Sequence, residues 1–362
     1  MAEGGVAPGP GVVLAVNAGS SSLKLSLLDP NQQPLDKHQC GWDAAAVADL
    51  PQGALPGPIA AWLQERLAPW QNHIQLVVHR LVHGGTTYRT ATQLTPAVID
   101  ALRPLVPLAP LHSGPALQVI RWLQNRNAPA QWACFDTGFH STLPLEARTL
   151  AIPEAWRAAG LQRFGFHGLN HQHVAEVVGV PRLISCHLGA GCSLCAIRDG
   201  ISIATTMGFT PMDGLVMATR CGSLDPGLLL HQLRAGLTAQ DLEQALNHQS
   251  GLLGLSGLSG DMRTLRQAAA AGHPGAQLAI AVFRHQLLQG IGAMAASLGG
   301  VDAIALSGGI GEHDGALLEE LQQALGWLGS VELVQVAADE EGQMARACLA
   351  AAAGPDLGPR PR

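Results

Sequence analysis

Apolar and polar positions along the chain fall into short runs whose spacing predicts the elements. VVLAV (Val12–Val16) and LKLSLL (Leu23–Leu28) flank a polar knot containing Asn17, Gly19 and three serines, so two strands joined by a serine turn are expected. IAAWLQERLAPW has helical spacing. IQLVVHRLVHGG predicts a strand that leaves through paired glycines, which tolerate positive φ and a sharp exit. TPAVIDALRPLVPLAPLH predicts a capped helix broken by prolines, and GPALQVIRWLQNRN a further helix. QWACFD is a buried strand ending at Asp136.

A change of unit is expected near STLPLEARTL. After it, GLNHQHVAEVVG predicts a helix, and LISCHLGAGCSLCAIRDGISIA a hairpin region with a type I′ turn at Asp199–Gly200. LTAQDLEQALNHQSGLLG, the run RTLRQAAAAGHPGAQLAIAVFRHQLLQGIGAMAASLG and ALLEELQQALGWLG are expected to be helical. VDAIALSGGIGEH predicts a buried strand running into a glycine-rich turn. Strands come early in each half and helices late, so the expected class is α/β with two related domains. NAGSSSLKLSLLD and HLGAGCSLCAIRDG echo one another as strand, Gly/Ser turn and strand.

Composition narrows the classes. The 362 residues are 47% hydrophobic and 13% charged, which describes a globular chain with a large core. A net charge of −6 argues against a nucleic-acid coat or a membrane-surface protein. No apolar run reaches the roughly 18 residues of a spanning helix. The opening MAEGGVAPGP lacks the basic and apolar parts of a signal peptide, so residues 1–11 and 355–362 are expected to be disordered ends. Seven scattered cysteines suit a reducing compartment, and a cytoplasmic location is expected. Cys192 and Cys195 form a CxxC, but at i, i+3 of a strand their side chains point to opposite faces, against a zinc or redox pair.

Lys24 and Lys37 are the only lysines, and Lys24 stands beside the serine turn. Gly19, the hydroxyls, the turn N–H groups and this point charge make an anion site. The plainer alternative is a polar hairpin with a snorkelling lysine. The second Gly-rich hairpin favours the anion, because two such turns facing one cleft suit a polyphosphate.

VLAVNAGSSSLKLSLLD resembles the opening signature of the acetate kinase (acetokinase) family. VVHRLVHGG, APLH, FDTGFHSTLP, RFGFHGLNH, CHLGAG, TTMGFTPMDGLVMATRCGSLDP, SGLLGLSGLSGDMR and SGGIGEH follow in that family's order, from about Val12 to about Arg346. The resemblance implies two related α/β domains of the sugar-kinase/Hsp70/actin (ribonuclease H-like) type with an interdomain nucleotide cleft. The N-terminal domain would span 12–141, completed by a C-terminal helix at about 341–354, and the nucleotide-binding domain 142–340. It implies reversible phosphoryl transfer from ATP to acetate, giving acetyl phosphate and ADP, with Mg²⁺ or Mn²⁺, in a homodimer.

Phosphoryl transfer needs in-line placement and charge neutralisation more than covalent help. A planar, permanently charged guanidinium suits both a phosphoryl group and a carboxylate. Arg80 and Arg220 match the family arginines in that role, and Asp136 its catalytic aspartate. His167 matches the histidine that donates to the transferring group. His171 is expected to be a packing histidine and His112 a supporting one. Asn17 and Glu340 match the metal positions, with Glu341 one step away. Nucleotide contacts are expected from Lys24, from His187, Leu188, Gly189, Ala190 and Gly191, from the turn Asp261, Met262 and Arg263, and from the loop Gly309, Ile310, Gly311, Glu312 and His313. Val82, Leu111, Phe166 and Pro211 match the walls of the acceptor pocket. A methylene there is worth only about 1–3 kcal/mol, so acetate and propionate are not separated. The chain departs from the family where HLGNG becomes HLGAG (Ala190), GIGEN becomes GIGEH (His313), APLHNPPN becomes APLHSGPAL, and the segment between Glu312 and Glu340 is short. A propionate or butyrate kinase, and a nucleotide-binding regulator with weakened catalysis, are the competing readings.

Overall fold

Val12–Ala18 is apolar at nearly every position and buried along its whole length, the signature of a strand covered on both faces. In the computed structural model, which describes residues 11–19 and 22–354 apart from the side chains of Ala45 and Leu111, this strand (β1) lies inside a sheet. The chain divides into two compact units: residues up to Gly138 together with those from Asp339 on, and Phe139–Ala338.

The first unit holds β1, β2 (Ser22–Leu28), β3 (Pro34–Gly41), β4 (Ile74–Leu81), β5 (Thr92–Gln93) and β6 (Gln131–Phe135). Their order is β3-β2-β1-β4-β6-β5. β1, β4 and β6 run parallel, while β2 and β3 form an antiparallel meander off β1. Side chains alternate across the sheet. Leu14, Val16, Leu25 and Val77 share one core with Leu63 and Ile120 from helices Gly57–Leu67 and Pro110–Gln124. The opposite face carries Asn17, Arg80 and Cys134 and packs against the C-terminal helix Glu340–Ala352, whose Met344 carbonyl lies 3.8 Å from the Cys134 thiol.

The second unit holds β7 (Arg182–Leu188), β8 (Cys192–Arg198), β9 (Ile201–Thr205), β10 (Ala303–Ser307) and β11 (Glu332–Gln335), ordered β11-β10-β7-β8-β9. β7, β10 and β11 are parallel and β8 and β9 form the antiparallel meander. Helix Gly168–Val178 covers one face, where Val174 and Ala175 meet Leu183, Cys195, Ile197, Ala303 and Ala305. Helix Pro274–Leu298 approaches β8 closely through Gly290, where a Cβ would stand only 2.7 Å from Leu194 Cδ1.

Asp199 and Gly200 have φ of 51° and 77°, the left-handed pair that the predicted type I′ turn requires. The proline-broken helix is present as Pro96–Leu102, capped by Thr95, then a 3₁₀ segment Arg103–Leu108. Several expectations are corrected. The long run expected to be helical from Arg263 to Gly299 is two helices, Met262–Ala270 and Pro274–Leu298. Gly272 (φ 86°) ends the first, and the His273 ring nitrogen accepts from Ala276 N–H to cap the second. The glycine-rich turn after β10 is a short helix, Gly308–His313. The turn Asp261–Arg263 is a helix start, with Asp261 as its N-cap. Strands β3 and β11 and helix Pro226–Arg234 were not anticipated. Ser20 and Ser21 of the serine turn, and the ends 1–10 and 355–362, lie outside the described residues. No helix among the described residues is long and apolar enough to cross a membrane.

Candidate active site

In the first unit, polar groups gather at the carboxyl ends of the parallel strands, where open α/β sheets bind ligands. Asn17 is the penultimate residue of β1 and pairs across the hairpin with Lys24. Arg80 is the penultimate residue of β4, and Asp136 follows β6 directly. Arg80 grips Asp136 with two parallel bonds, Nε to Oδ1 at 2.9 Å and Nη2 to Oδ2 at 2.7 Å. Its Nη1 donates to Glu340 Oε2 at 3.0 Å and to Asn17 Oδ1 at 3.5 Å. Of the five guanidinium N–H groups, one on Nη2 has no partner among the described residues.

Asp136 is 1% exposed, a burial that an ionised carboxylate tolerates only when paired. Burial pushes the Arg80 pKa down, but Asp136 and Glu340 more than reverse this and leave it raised. Burial raises the Glu340 carboxyl; Arg80 pulls it back, and Asp136 and Glu341 push it up again. Lys24 is exposed on β2 and attracts the same carboxylate. Val82 is buried just past β4, and His79 and His83 lie close by in sequence, both buried. The Leu111 side chain lies outside the described residues.

The second unit uses the same strand ends for a different set. His187, penultimate on β7, pairs with Ser193 on β8 and with Ser307 on β10. His167 sits in the left-handed region (φ 57°) at the start of helix Gly168–Val178, which turns its ring over the strand ends. Its Nδ1 lies 2.9 Å from Ser193 Oγ, and its ring centroid 4.3 Å from that of His187. Gly191 explains the close approach of the next two groups: a Cβ there would lie 2.6 Å from Arg220 Nη2 and 3.1 Å from His167 Nε2. Arg220 and the Nε2 edge of His167 therefore share the surface of one glycine. Arg220 Nη1 also donates to the Pro211 carbonyl.

Other anticipated residues are more varied. Gly189 and Ala190 form the tip between β7 and β8, with Ala190 exposed and its carbonyl accepting from Ala218 N–H at 3.0 Å. Gly309 is near that tip: a Cβ on Gly189 would stand 3.9 Å from Gly309 N. Ile310 and Gly311 continue the short helix, and His313 is exposed. Glu312 Oε1 accepts from Gly308 N–H and Ala338 N–H, so this oxygen braces the turn. Asp261 accepts from Thr264 N–H, Arg263 is an exposed partner of Asp261, and Met262 and Leu188 are buried core residues. Phe166 is fully buried, its carbonyl accepting from His140 Nε2.

Sequence reasoning missed Ser185, Ser193, Ser202 and His140, which hold the histidines in place. The available signal was a serine inside an otherwise apolar buried strand, LISCHL and CSLCAI, because a buried hydroxyl needs a partner. Cys192 and Cys195 are buried on β8 with thiols pushed up to about 12 by burial, and Cys195 contacts Ser202.

Comparison with known proteins bears on this pair of arrays. The acetokinase family profile matches residues 53–349. The chain is 44% identical over 355 residues to the acetate kinase of a Synechococcus strain, covering 88% of each. Among solved structures it resembles Porphyromonas gingivalis acetate kinase, with a TM-score of 0.82, 28% identity and coverage of 94% of this chain and 99% of that one. A propionate kinase from Francisella tularensis is similar to the same degree, with a TM-score of 0.83, 29% identity and coverage of 93% and 98%.

Proposed function

The chain belongs to the acetokinase family, and on that premise we propose how its residues divide the work of an acetate kinase. The protein is a phosphotransferase with a carboxyl acceptor, moving a phosphoryl group reversibly between ATP and acetate. The observation that carries the assignment of roles is the anchored guanidinium of Arg80, held by Asp136, Glu340 and Asn17 with one N–H left over among the described residues.

In this reading the first unit handles the acid. Arg80 cannot swing, because four oxygens hold it, and its remaining Nη2 N–H orients the acetate carboxylate. Val82, buried just past β4, supplies apolar wall for the methyl group. The second unit handles the phosphoryl group. Arg220 and His167 Nε2 donate to its equatorial oxygens as charge builds, and the segments His187–Gly191 and Gly309–His313 bring backbone N–H groups to the nucleotide. An acetate oxygen forms the new bond to Pγ while the bridging oxygen leaves with ADP. No proton need move in that step.

The family implies Mg²⁺, and the donor set fits it. Asp136, Glu340 and Glu341 outnumber Arg80 and Lys24, which favours a cation, and Asn17 and Glu340 offer oxygen ligands. Mg²⁺ characteristically takes one or two carboxylates and keeps several waters. Asn17 and Glu340 would hold it, and when bound it neutralises phosphate charge. A homodimer in the cytoplasm completes the proposal.

The test is release of ADP by the purified protein with Mg-ATP and a panel of short carboxylates. Acetate-dependent turnover supports the reading; ATP binding with no acyl phosphate made in either direction overturns it. The likeness to a propionate kinase favours one second reading, in which propionate is the better acceptor. The kcat/KM ratio for the two acids decides that.

A further inference from the structure

Three buried groups lie in line behind His167. Ser185 Oγ is 2.8 Å from His171 Nδ1, His171 Nε2 is 2.8 Å from Ser193 Oγ, and Ser193 Oγ is 2.9 Å from His167 Nδ1. Ser185, Ser193 and His171 are all 0% exposed. Burial, with His140 and His187 nearby, holds the His171 pKa well below its ordinary value, so its ring is neutral with one donor and one acceptor nitrogen.

A hydroxyl has a single proton to donate, so the three bonds form a directed chain. Two directions give the Ser193 proton an acceptor. In one, Ser185 donates to His171 Nδ1, His171 Nε2–H donates to Ser193, and Ser193 donates to His167 Nδ1. In the other, every bond is reversed and His167 gives its Nδ1 proton to Ser193. An arrangement in which Ser193 accepts from both rings would strand its own proton in the core, where an unpaired donor is destabilising.

The surroundings of His167 choose between the two. Its Nε2 edge faces Gly191 beside the Arg220 guanidinium, and the His187 ring lies against its face. A second positive charge next to Arg220 is disfavoured. An Nε2 lone pair would repel the phosphate oxygens that Arg220 attracts. The first direction avoids both: His167 stays uncharged and still offers an N–H.

We propose that Ser193 is a positioning residue that, backed by His171 and Ser185, holds His167 as the neutral tautomer donating from Nε2. His140 steadies the same segment from the other side. Its Nε2 can only donate to the Phe166 carbonyl at 3.0 Å, which leaves Nδ1 to accept from Ser202 Oγ at 2.9 Å. The inference rests on His167 being the phosphoryl donor of the proposed function.

The test starts with the unsubstituted enzyme, labelled with ¹⁵N in its histidines and loaded with ATP in the absence of acetate. The imidazole shifts of His167, assigned by its loss in His167→Ala, are expected to show a protonated Nε2 and an acceptor Nδ1. An Nδ1–H tautomer or an imidazolium at neutral pH overturns the proposal, and this measurement does not depend on whether a variant folds. Ser193→Ala is then expected to lower kcat about 10- to 100-fold, the typical cost of removing a partner that orients an imidazole. KM values should stay within about twofold, and Ser193→Thr should restore most of kcat. Losing the hydroxyl that donates to Nδ1 removes a bond that stabilises neutral His167, so the acidic limb of the kcat profile should move to higher pH. An unmoved limb with normal kcat refutes the relay. If His167→Ala itself leaves turnover intact, the role of His167 has failed; if it abolishes turnover while Ser193→Ala does not, only the relay has.

Discussion

The two units are one topology filled with two chemistries. Strands β3-β2-β1-β4-β6 and β9-β8-β7-β10-β11 have the same order and the same directions. Their hairpins even share register: Asn17 pairs with Lys24 as His187 pairs with Ser193. The position beside Asn17 on the neighbouring parallel strand holds Arg80; the one beside His187 holds Ser307. In the first unit these positions build an ion cluster of one guanidinium and two carboxylates. In the second they build an array in which Ser193 and Ser185 hydroxyls hold His167 and His171. The difference teaches that the doubly wound sheet supplies only a location, the carboxyl ends of its parallel strands. What happens there is decided by a few side chains.

The sharpest way to break the comparison is to remove each unit's guanidinium. Arg220→Ala is expected to cut kcat by about 10³–10⁵, the range that charge-stabilising arginines supply in phosphoryl transfer. A loss below tenfold, measured on protein with unchanged circular dichroism, would take the phosphoryl group away from the second unit. Arg80→Ala should act on stability as well, because it leaves Asp136 buried and Glu340 half-buried without their partner. A loss of about 3–5 kcal/mol in urea unfolding is expected, as for other broken buried pairs. An Arg80 variant as stable as the parent would mean that the cluster is solvated.

A milder test uses pH. Burial lowers the His79 pKa from 6.5 to about 4, with its bond to Gln131 opposing, and His171 in the second unit shifts the same way. Protonation therefore favours the unfolded chain. The stability that a neutral His79 contributes is complete above pH 6.5 and is lost as pH falls towards 4, by up to about 1.4 kcal/mol per pH unit. Denaturant titrations across that window should show the slope, and a flat response would contradict the burial. The smallest effect is expected from Ala190→Asn, which adds an amide at the exposed tip between β7 and β8. One new hydrogen bond to a phosphate is worth about 0.5–1.5 kcal/mol, so ATP affinity should rise by about two- to tenfold. Calorimetry that finds no gain would place the phosphates away from that tip.

Much of the fold was legible where local chemistry leaves few choices. The β1–β2 and β7–β8 hairpins, the Asp199–Gly200 turn and the Thr95 cap follow from alternation, positive φ and a side-chain acceptor. β3 was hidden because PLDKHQCG is half exposed at a sheet edge, and β11 because four residues carry too little period. The break at Gly272–His273 was hidden within a helical pattern that continues on both sides. Arg80, Asp136, His167 and Arg220 were reached through the family resemblance and not from periodicity.

By itself, the sequence determined the strand-rich starts of the two halves, the tight turns and the family, because each rests on neighbours along the chain or on the order of motifs. Tertiary structure alone decided that Glu340, 260 positions from Arg80, would share its guanidinium with Asp136. It alone decided that Ser185 and Ser193 would bracket His171, and that Glu312 would brace a turn. The physical reason is range. Backbone preference and alternation act over a few residues, whereas a buried charge or hydroxyl takes whichever partner folding brings within about 3 Å.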